Sequence, residues 1–473
     1  MKNYFEKNFL WGSASAAYQI EGAYKKDGKD LSIWDAWSHI PGKTYKGTNG
    51  NVAVDHYNRF MEDIELMKEM GLKTYRFSIA WTRIINNDGI VNEKGIQFYH
   101  KLIDALIKND IEPMITLYHW DLPLNLQEKY KGWESREIID DFMKYVEVCF
   151  NSFADKVKYF IIMNEPNIFT FLGYAMGIHP PGQKDMALYL KTYHHTALAH
   201  AQTVLMYKGK GYKGKIGSSI AFSPGYPASD DKEDLDALDN YYQMIHWWQF
   251  DPYFKGSYPE KAVRYYKEKG ILPNIKNQDL NLLKKASKLV DFIGINYYQT
   301  KTIAYNPSNG ATLQGLNTSG KKGSQKENGI PGLYKEVKNE KLEYTDWDWA
   351  IDPDGLRYGM VELKERYDLP IIISENGLGA FDKLNNGEIN DDYRIDYLKK
   401  HLVSCNQAIK EGVDLIGYCT WSFTDLLSWL NGYQKRYGFV YIDFDNDLKR
   451  IKKKSFNWYK KVIETKGESI FNE

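Results

Sequence analysis

The sequence lacks most of the features that mark specialised protein classes. It has three cysteines, Cys149, Cys405 and Cys419, widely spaced, odd in number and without a CxxC pair. That argues against both a disulfide framework and a cysteine-based zinc site. Net charge is missing too. The 62 Lys plus Arg balance 62 Asp plus Glu, so no basic patch is implied and nucleic acid is a poor candidate partner. No window approaches the roughly 18 apolar residues of a membrane span. Met1 to Asn8 run into a mixed stretch with neither the apolar core nor the cleavage site of a secretory leader. The chain therefore reads as cytoplasmic and reduced, with no membrane partner. No internal repeat is apparent.

Aromatic residues are what the sequence has in excess: 15%, including 37 Tyr and 13 Trp. Aromatic faces stack on the C–H faces of sugars, but they also fill cores, so the count alone points both ways. The 473 residues, 43% of them hydrophobic, suffice for a large core. Length alone would allow two or three domains, although α/β barrels often run this long as one.

The most informative stretch is Pro370-Ile371-Ile372-Ile373-Ser374-Glu375-Asn376-Gly377. Its β-branched run reads as a buried strand, closed by a glycine turn. A carboxylate there costs several kcal/mol to desolvate unless it is paired. Glu375 either caps the next helix or serves chemistry. A second stretch, Tyr159-Phe160-Ile161-Ile162-Met163-Asn164-Glu165-Pro166, is built the same way about two hundred residues earlier. Two strand-end glutamates are what a two-carboxylate glycosidase needs.

Six further strands read similarly: the first from Phe9, then Thr74–Trp81, Glu112–Trp120, Lys215–Phe222, Asp291–Tyr298 and Leu415–Ser422. Helical spacing covers 55–70, 94–109, 135–153, 186–208, 353–366 and 391–411, and Asp230 to Asp239 opens another helix with a solvated acidic face. Residues 299–345 are polar and aperiodic, too long for an ordinary connection, and read as an elaborated loop over one face. Continuous apolar strands alternating with helices imply a parallel sheet. Eight of them predict a single (β/α)₈ TIM barrel spanning 1–473, with active residues at the C-terminal strand ends. His119, Glu165, Asn296, Glu375 and Trp421 all fall at such ends. Arg76, inside the second strand, either forms a structural ion pair or keeps Glu375 ionised. Gln19 either faces the pocket or caps a turn.

These strand-end motifs, Asn164-Glu165-Pro166 and Ser374-Glu375-Asn376-Gly377, resemble glycoside hydrolase family 1, the β-glucosidase and 6-phospho-β-glycosidase family. The likeness runs from Phe9-Leu10-Trp11-Gly12 to Lys453-Lys454-Ser455-Phe456-Asn457-Trp458-Tyr459. It implies a retaining hydrolase with Glu375 as nucleophile and Glu165 as general acid/base. Arg76 and the Tyr298 hydroxyl would hold Glu375 ionised. It further implies sugar contacts from Gln19, His119, Asn164 (to the 2-hydroxyl) and Trp421, with Asn296 lining the pocket. Trp347 resembles the aromatic of the aglycone region, or packs in the core. No metal or organic cofactor is implied.

The loop after the eighth strand bears on the substrate. Plain β-glucosidases of this family carry Glu where Ser428 stands and usually Phe at Tyr437. Ser428, Lys435 and Tyr437 resemble the phosphate site of the 6-phospho-β-glycosidases, presenting three donors where a Glu would repel phosphate. Trp429 resembles an aromatic near the 4-hydroxyl in the galactoside branch, whereas Asn164-Glu165-Pro166-Asn167 is nearer the glucosidase side. The expected substrate is a small phosphorylated β-glycoside, galacto and gluco forms both open. The alternatives are hydrolysis of unphosphorylated glucosides or galactosides, a non-catalytic sugar-phosphate binder, and a purely structural barrel.

Overall fold

The computed structural model describes residues 5–471; residues 1–4, part of the stretch searched for a leader, and 472–473 lie outside the described residues. Eight parallel strands close into a barrel: β1 (Leu10–Ala14), β2 (Thr74–Ser78), β3 (Glu112–Tyr118), β4 (Tyr159–Asn164), β5 (Lys215–Ala221), β6 (Phe292–Tyr297), β7 (Ile371–Asn376) and β8 (Leu415–Trp421). Each pairs with its sequence neighbour, and β1 closes the ring on β8 with Leu10 opposite Gly417 and Ala14 opposite Trp421. All eight fall where the apolar runs place them. Their continuous hydrophobicity follows from burial on both faces, by the lumen and by the outer helices.

The principal outer helices are α1 (His56–Met70), α2 (Glu93–Lys108), α3 (Glu137–Phe153), α4 (Met186–Gly209), α5 (Asn277–Ser287), α6 (Pro353–Tyr367), α7 (Asp392–Lys410) and α8 (Lys454–Glu464). α1 ends at Gly71, whose φ of 82° forms the left-handed cap that an L side chain resists.

The lumen is layered. Met114, Ile161, Phe292 and Ile372, from β3, β4, β6 and β7, form a separate, fully buried apolar plug. Strand side chains repeat every two residues, so Thr116, Asn296 and Ser374 follow on the same faces toward the C-terminal ends. The apolar layer thus supports a polar layer at the mouth, where the active groups gather.

Residues 299–345 differ from a plain loop. Lys301–Ala304, Gly329–Ile330 and Tyr334–Val337 join Gly225–Pro227 in a four-stranded sheet. These strands are too short for periodicity to reveal, and their partner lies in another loop. The segment also carries Leu316, Asn317 and Thr318 to the wall of the central cavity.

Candidate active site

The two glutamates are aimed by local irregularities. β4 shifts register between Ile161 and Asn164, and Glu165 then adopts a left-handed φ of 44° before Pro166 starts a short helix. β7 shifts register between Ile373 and Glu375 against β6. Such bulges re-aim a side chain at a strand end. Both glutamates line a cavity of about 320 Å³ at the barrel mouth.

Arg76 is fully buried beneath them and uses its whole fork. It donates to Glu375 Oε1 (2.8 Å), the Ser374 carbonyl (2.9 Å), Asn164 Oδ1 (2.6 Å) and Thr116 Oγ1 (3.0 Å). The Tyr298 hydroxyl donates to Glu375 Oε2 at 2.6 Å. Asn296 Nδ2 donates to Glu165 Oε1 at 2.8 Å and to Asn164 Oδ1 at 2.9 Å, while its own oxygen accepts from Ser374 Oγ at 2.6 Å. The two carboxylates are therefore in different company. Glu375 has a cation and a phenol; Glu165 has one amide.

That difference separates their protonation. Burial, then the charge on Glu375, pushes Glu165 up to about 8. Burial also raises Glu375, but Arg76 and the Tyr298 hydroxyl oppose it, so Glu375 ionises first. One carboxyl keeps a proton to donate while the other remains an anion. A bell-shaped pH dependence of kcat/KM is the expected outcome: activity rises as Glu375 ionises and falls through about pH 8 as Glu165 loses its proton. Glu165→Gln should abolish the alkaline limb, and an alkaline limb unchanged in that variant would reassign the acid.

Around this pair the structure gathers most of the predicted residues. Gln19 Nε2 donates to the Leu427 carbonyl at 2.7 Å, leaving its buried Oε1 without a partner among the described residues. Asn164 Nδ2 donates to His119 Nε2 at 3.0 Å, which places the imidazole proton on Nδ1, also buried and unpartnered. Burial and then Arg76 pull the His119 pKa well down, keeping the ring neutral. Gln19, His119, Asn296, Tyr298, Trp421, Ser428, Trp429, Lys435 and Tyr437 all line the cavity. Asn164 lies just behind the wall, bonded to its neighbours.

Trp347 does not line the cavity. It is fully buried, its Nε1 donates to Asn431 Oδ1 at 3.0 Å, and its ring packs 4.8 Å from Phe381. The indole that this segment does bring to the cavity wall is Trp349, two residues on. Sequence reasoning also passed over Trp120, which donates Nε1 to the Asn164 carbonyl at 2.8 Å and stacks 4.6 Å from Trp429. Its place directly after His119 at the strand end was the available signal.

Lys435 is the unusual group. Its ammonium is almost fully buried, 3.7 Å from the ring centre of Trp349, 4.5 Å from Trp347 and 5.4 Å from Tyr437. Among the described residues no carboxylate is paired with it, and burial alone draws its pKa well below the usual lysine range. The rings supply cation–π attraction, but a buried cation still lacks a counter-ion. Ser428 and Tyr437 stand on the same wall. Ser428, Lys435 and Tyr437 thus share one cavity with the two glutamates.

The family model of glycosyl hydrolase family 1 matches residues 1–468. The chain belongs to glycosyl hydrolase family 1. It is 52% identical to an aryl-phospho-beta-D-glucosidase of Bacillus subtilis, over 98% of each chain. It is 39% identical to a 6-phospho-beta-galactosidase of Clostridium acetobutylicum, over 97% of each. The family 1 beta-glucosidase of Thermotoga maritima superposes with a TM-score of 0.89 at 37% identity, covering 98% of this chain and 99% of that one. The family 1 barrel thus accounts for the fold and for glycosidase chemistry at its mouth. Among the described residues no helix is long and apolar enough to cross a membrane.

Proposed function

We propose that this family 1 enzyme hydrolyses 6-phospho-β-D-glycosides, with Ser428, Lys435 and Tyr437 holding the phosphate. The observation that carries this reading is the buried Lys435 ammonium, which has no paired carboxylate among the described residues and shares the cavity wall with two hydroxyls. A phosphate supplies the missing countercharge and accepts from all three groups. The names of the Bacillus and Clostridium relatives support the same substrate class.

In the first step Glu375 attacks the anomeric carbon while Glu165 protonates the departing glycosidic oxygen, giving a covalent glycosyl-enzyme and the free aglycone alcohol. Forming that ester removes the negative charge on Glu375, and with it the repulsion that opposes the negative charge Glu165 takes on when it gives up its proton. Glu165, left as a carboxylate by that transfer, takes a proton from water as the water attacks the same carbon, releasing the sugar with retained configuration. Asn164 is held to meet the 2-hydroxyl, and Gln19 Oε1 and His119 Nδ1 are left open for the other ring hydroxyls. Trp421 supports the sugar face. Trp349 faces the aglycone with Phe171, Leu172 and Leu316 on the outer wall. Trp429 borders the 4-hydroxyl region, where the gluco and galacto epimers differ.

The enzyme acts as one catalytic unit on a small molecule. A sugar phosphate does not cross membranes unaided, which sets the enzyme in the cytoplasm. Product inhibition tests the reading: glucose 6-phosphate should inhibit at a concentration at least about tenfold below glucose, the effect of one net charge-assisted contact. Equal inhibition by the two sugars would remove the phosphate site.

A further inference from the structure

The segment that carries Lys435 and Tyr437 is tied to the loop after β7. Ala380 N donates to the Arg436 carbonyl at 2.9 Å, and Arg436 N donates to the Ala380 carbonyl at 3.0 Å. The Arg436 carbonyl also accepts from the buried Arg394 at 3.1 Å, and the Arg436 guanidinium pairs with Asp425 at 2.6 Å. The two backbones are thereby fixed side by side. Because Arg436 turns toward Asp425, its neighbours Lys435 and Tyr437 point the opposite way, across Gly379.

A Cβ at residue 379 would lie 2.4 Å from Lys435 Cε, 2.9 Å from Lys435 Cγ and 2.9 Å from Tyr437 Cζ. Ordinary carbon contacts are about 3.5–4.0 Å. Gly379 does not have the left-handed backbone that would by itself favour glycine, so space is the reason for it. The lysine cannot withdraw, since Trp347 and Trp349 close around its ammonium at 4.5 and 3.7 Å. Gly379 does not line the cavity.

We infer that Gly379 is a positioning residue that sets specificity for the anionic substituent: its bare backbone is the floor on which Lys435 and Tyr437 reach the phosphate. The inference rests on the assignment of those residues as the phosphate site. A methyl at this position pushes two of the three phosphate-binding groups out of place and leaves Glu165, Glu375 and Arg76 where they are.

Gly379→Ala tests it on nitrophenyl β-glucoside and its 6-phosphate. The phosphorylated substrate should lose about tenfold or more in kcat/KM, the scale of an overpacked contact, mostly through KM. The plain glucoside should stay within about twofold, the limit for a change that leaves the reacting groups in place. Inhibition by glucose 6-phosphate should weaken in parallel. Equal losses on both substrates would mean general distortion and overturn the inference, as would no loss on either. Lys435→Met separates this from the underlying reading. If that variant lowers the ratio of phosphorylated to plain activity and Gly379→Ala does not, Gly379 has no such role and the phosphate site stands. If Lys435→Met leaves the ratio unchanged, the phosphate site itself falls and the role of Gly379 with it.

Discussion

Glu375→Ala is expected to lower kcat by roughly 10⁵-fold, the order reached when a covalent nucleophile is removed, while substrate binding remains measurable. Three bonds define what is lost: the Arg76 guanidinium at 2.8 Å, the Tyr298 hydroxyl at 2.6 Å and the new bond to the anomeric carbon. The first two hold Glu375 as an anion at the pH where Glu165 still carries its proton, so no other group in the cavity can take its place. Arg76 then lacks its carboxylate partner, and stability should fall by about 3–5 kcal/mol, the cost of breaking a buried pair. The space left by the side chain allows a chemical check. Azide entering it would attack the anomeric carbon once, not twice, so the rescued product must be the α-glycosyl azide. Normal turnover by Glu375→Ala, or a β-azide product, would end the covalent mechanism.

Ser428→Glu should produce the second large effect. The new carboxylate would enter the wall beside the Lys435 ammonium, pair with it, and meet an incoming phosphate as a like charge in a poorly screened pocket. Such a juxtaposition costs several kcal/mol, so kcat/KM on the phosphorylated substrate should drop on the order of 10²–10³-fold. Activity on the plain glycoside should hold or rise, because the carboxylate accepts from sugar hydroxyls and neutralises the lysine. Parallel assays of the two substrates on wild type and variant measure the change. An unmoved ratio would show that Ser428 does not face the phosphate.

The barrel was legible because burial on both faces leaves parallel strands as unbroken apolar runs, such as Ile371-Ile372-Ile373. The glutamates were legible for the opposite reason: a charge ending such a run demands a partner, and Arg76 in β2 supplies one for Glu375. Trp347 and Trp349 show where pattern reading fails. Two residues apart in a strand they would share a face, but Asp348 between them has a left-handed φ of 59° and turns the chain. One indole therefore packs in the interior and the other meets the cavity. The small sheet built by Gly225–Pro227 and Lys301–Val337 was illegible because its strands span two to four residues. Gly379 offered no signal, since a residue without a side chain has no chemistry to read. Only the 2.4 Å that would separate a Cβ at residue 379 from Lys435 Cε reveals why nothing larger is there.

The most direct test of the central claim is kcat/KM on four nitrophenyl β-glycosides: glucoside and galactoside, each with and without a 6-phosphate. The buried Lys435, without a carboxylate partner among the described residues, predicts that both phosphorylated members are preferred by about a hundredfold or more, the worth of a buried charge-assisted contact. Preference for the plain sugars would contradict the phosphate assignment of Ser428, Lys435 and Tyr437, while leaving the barrel and its two glutamates intact.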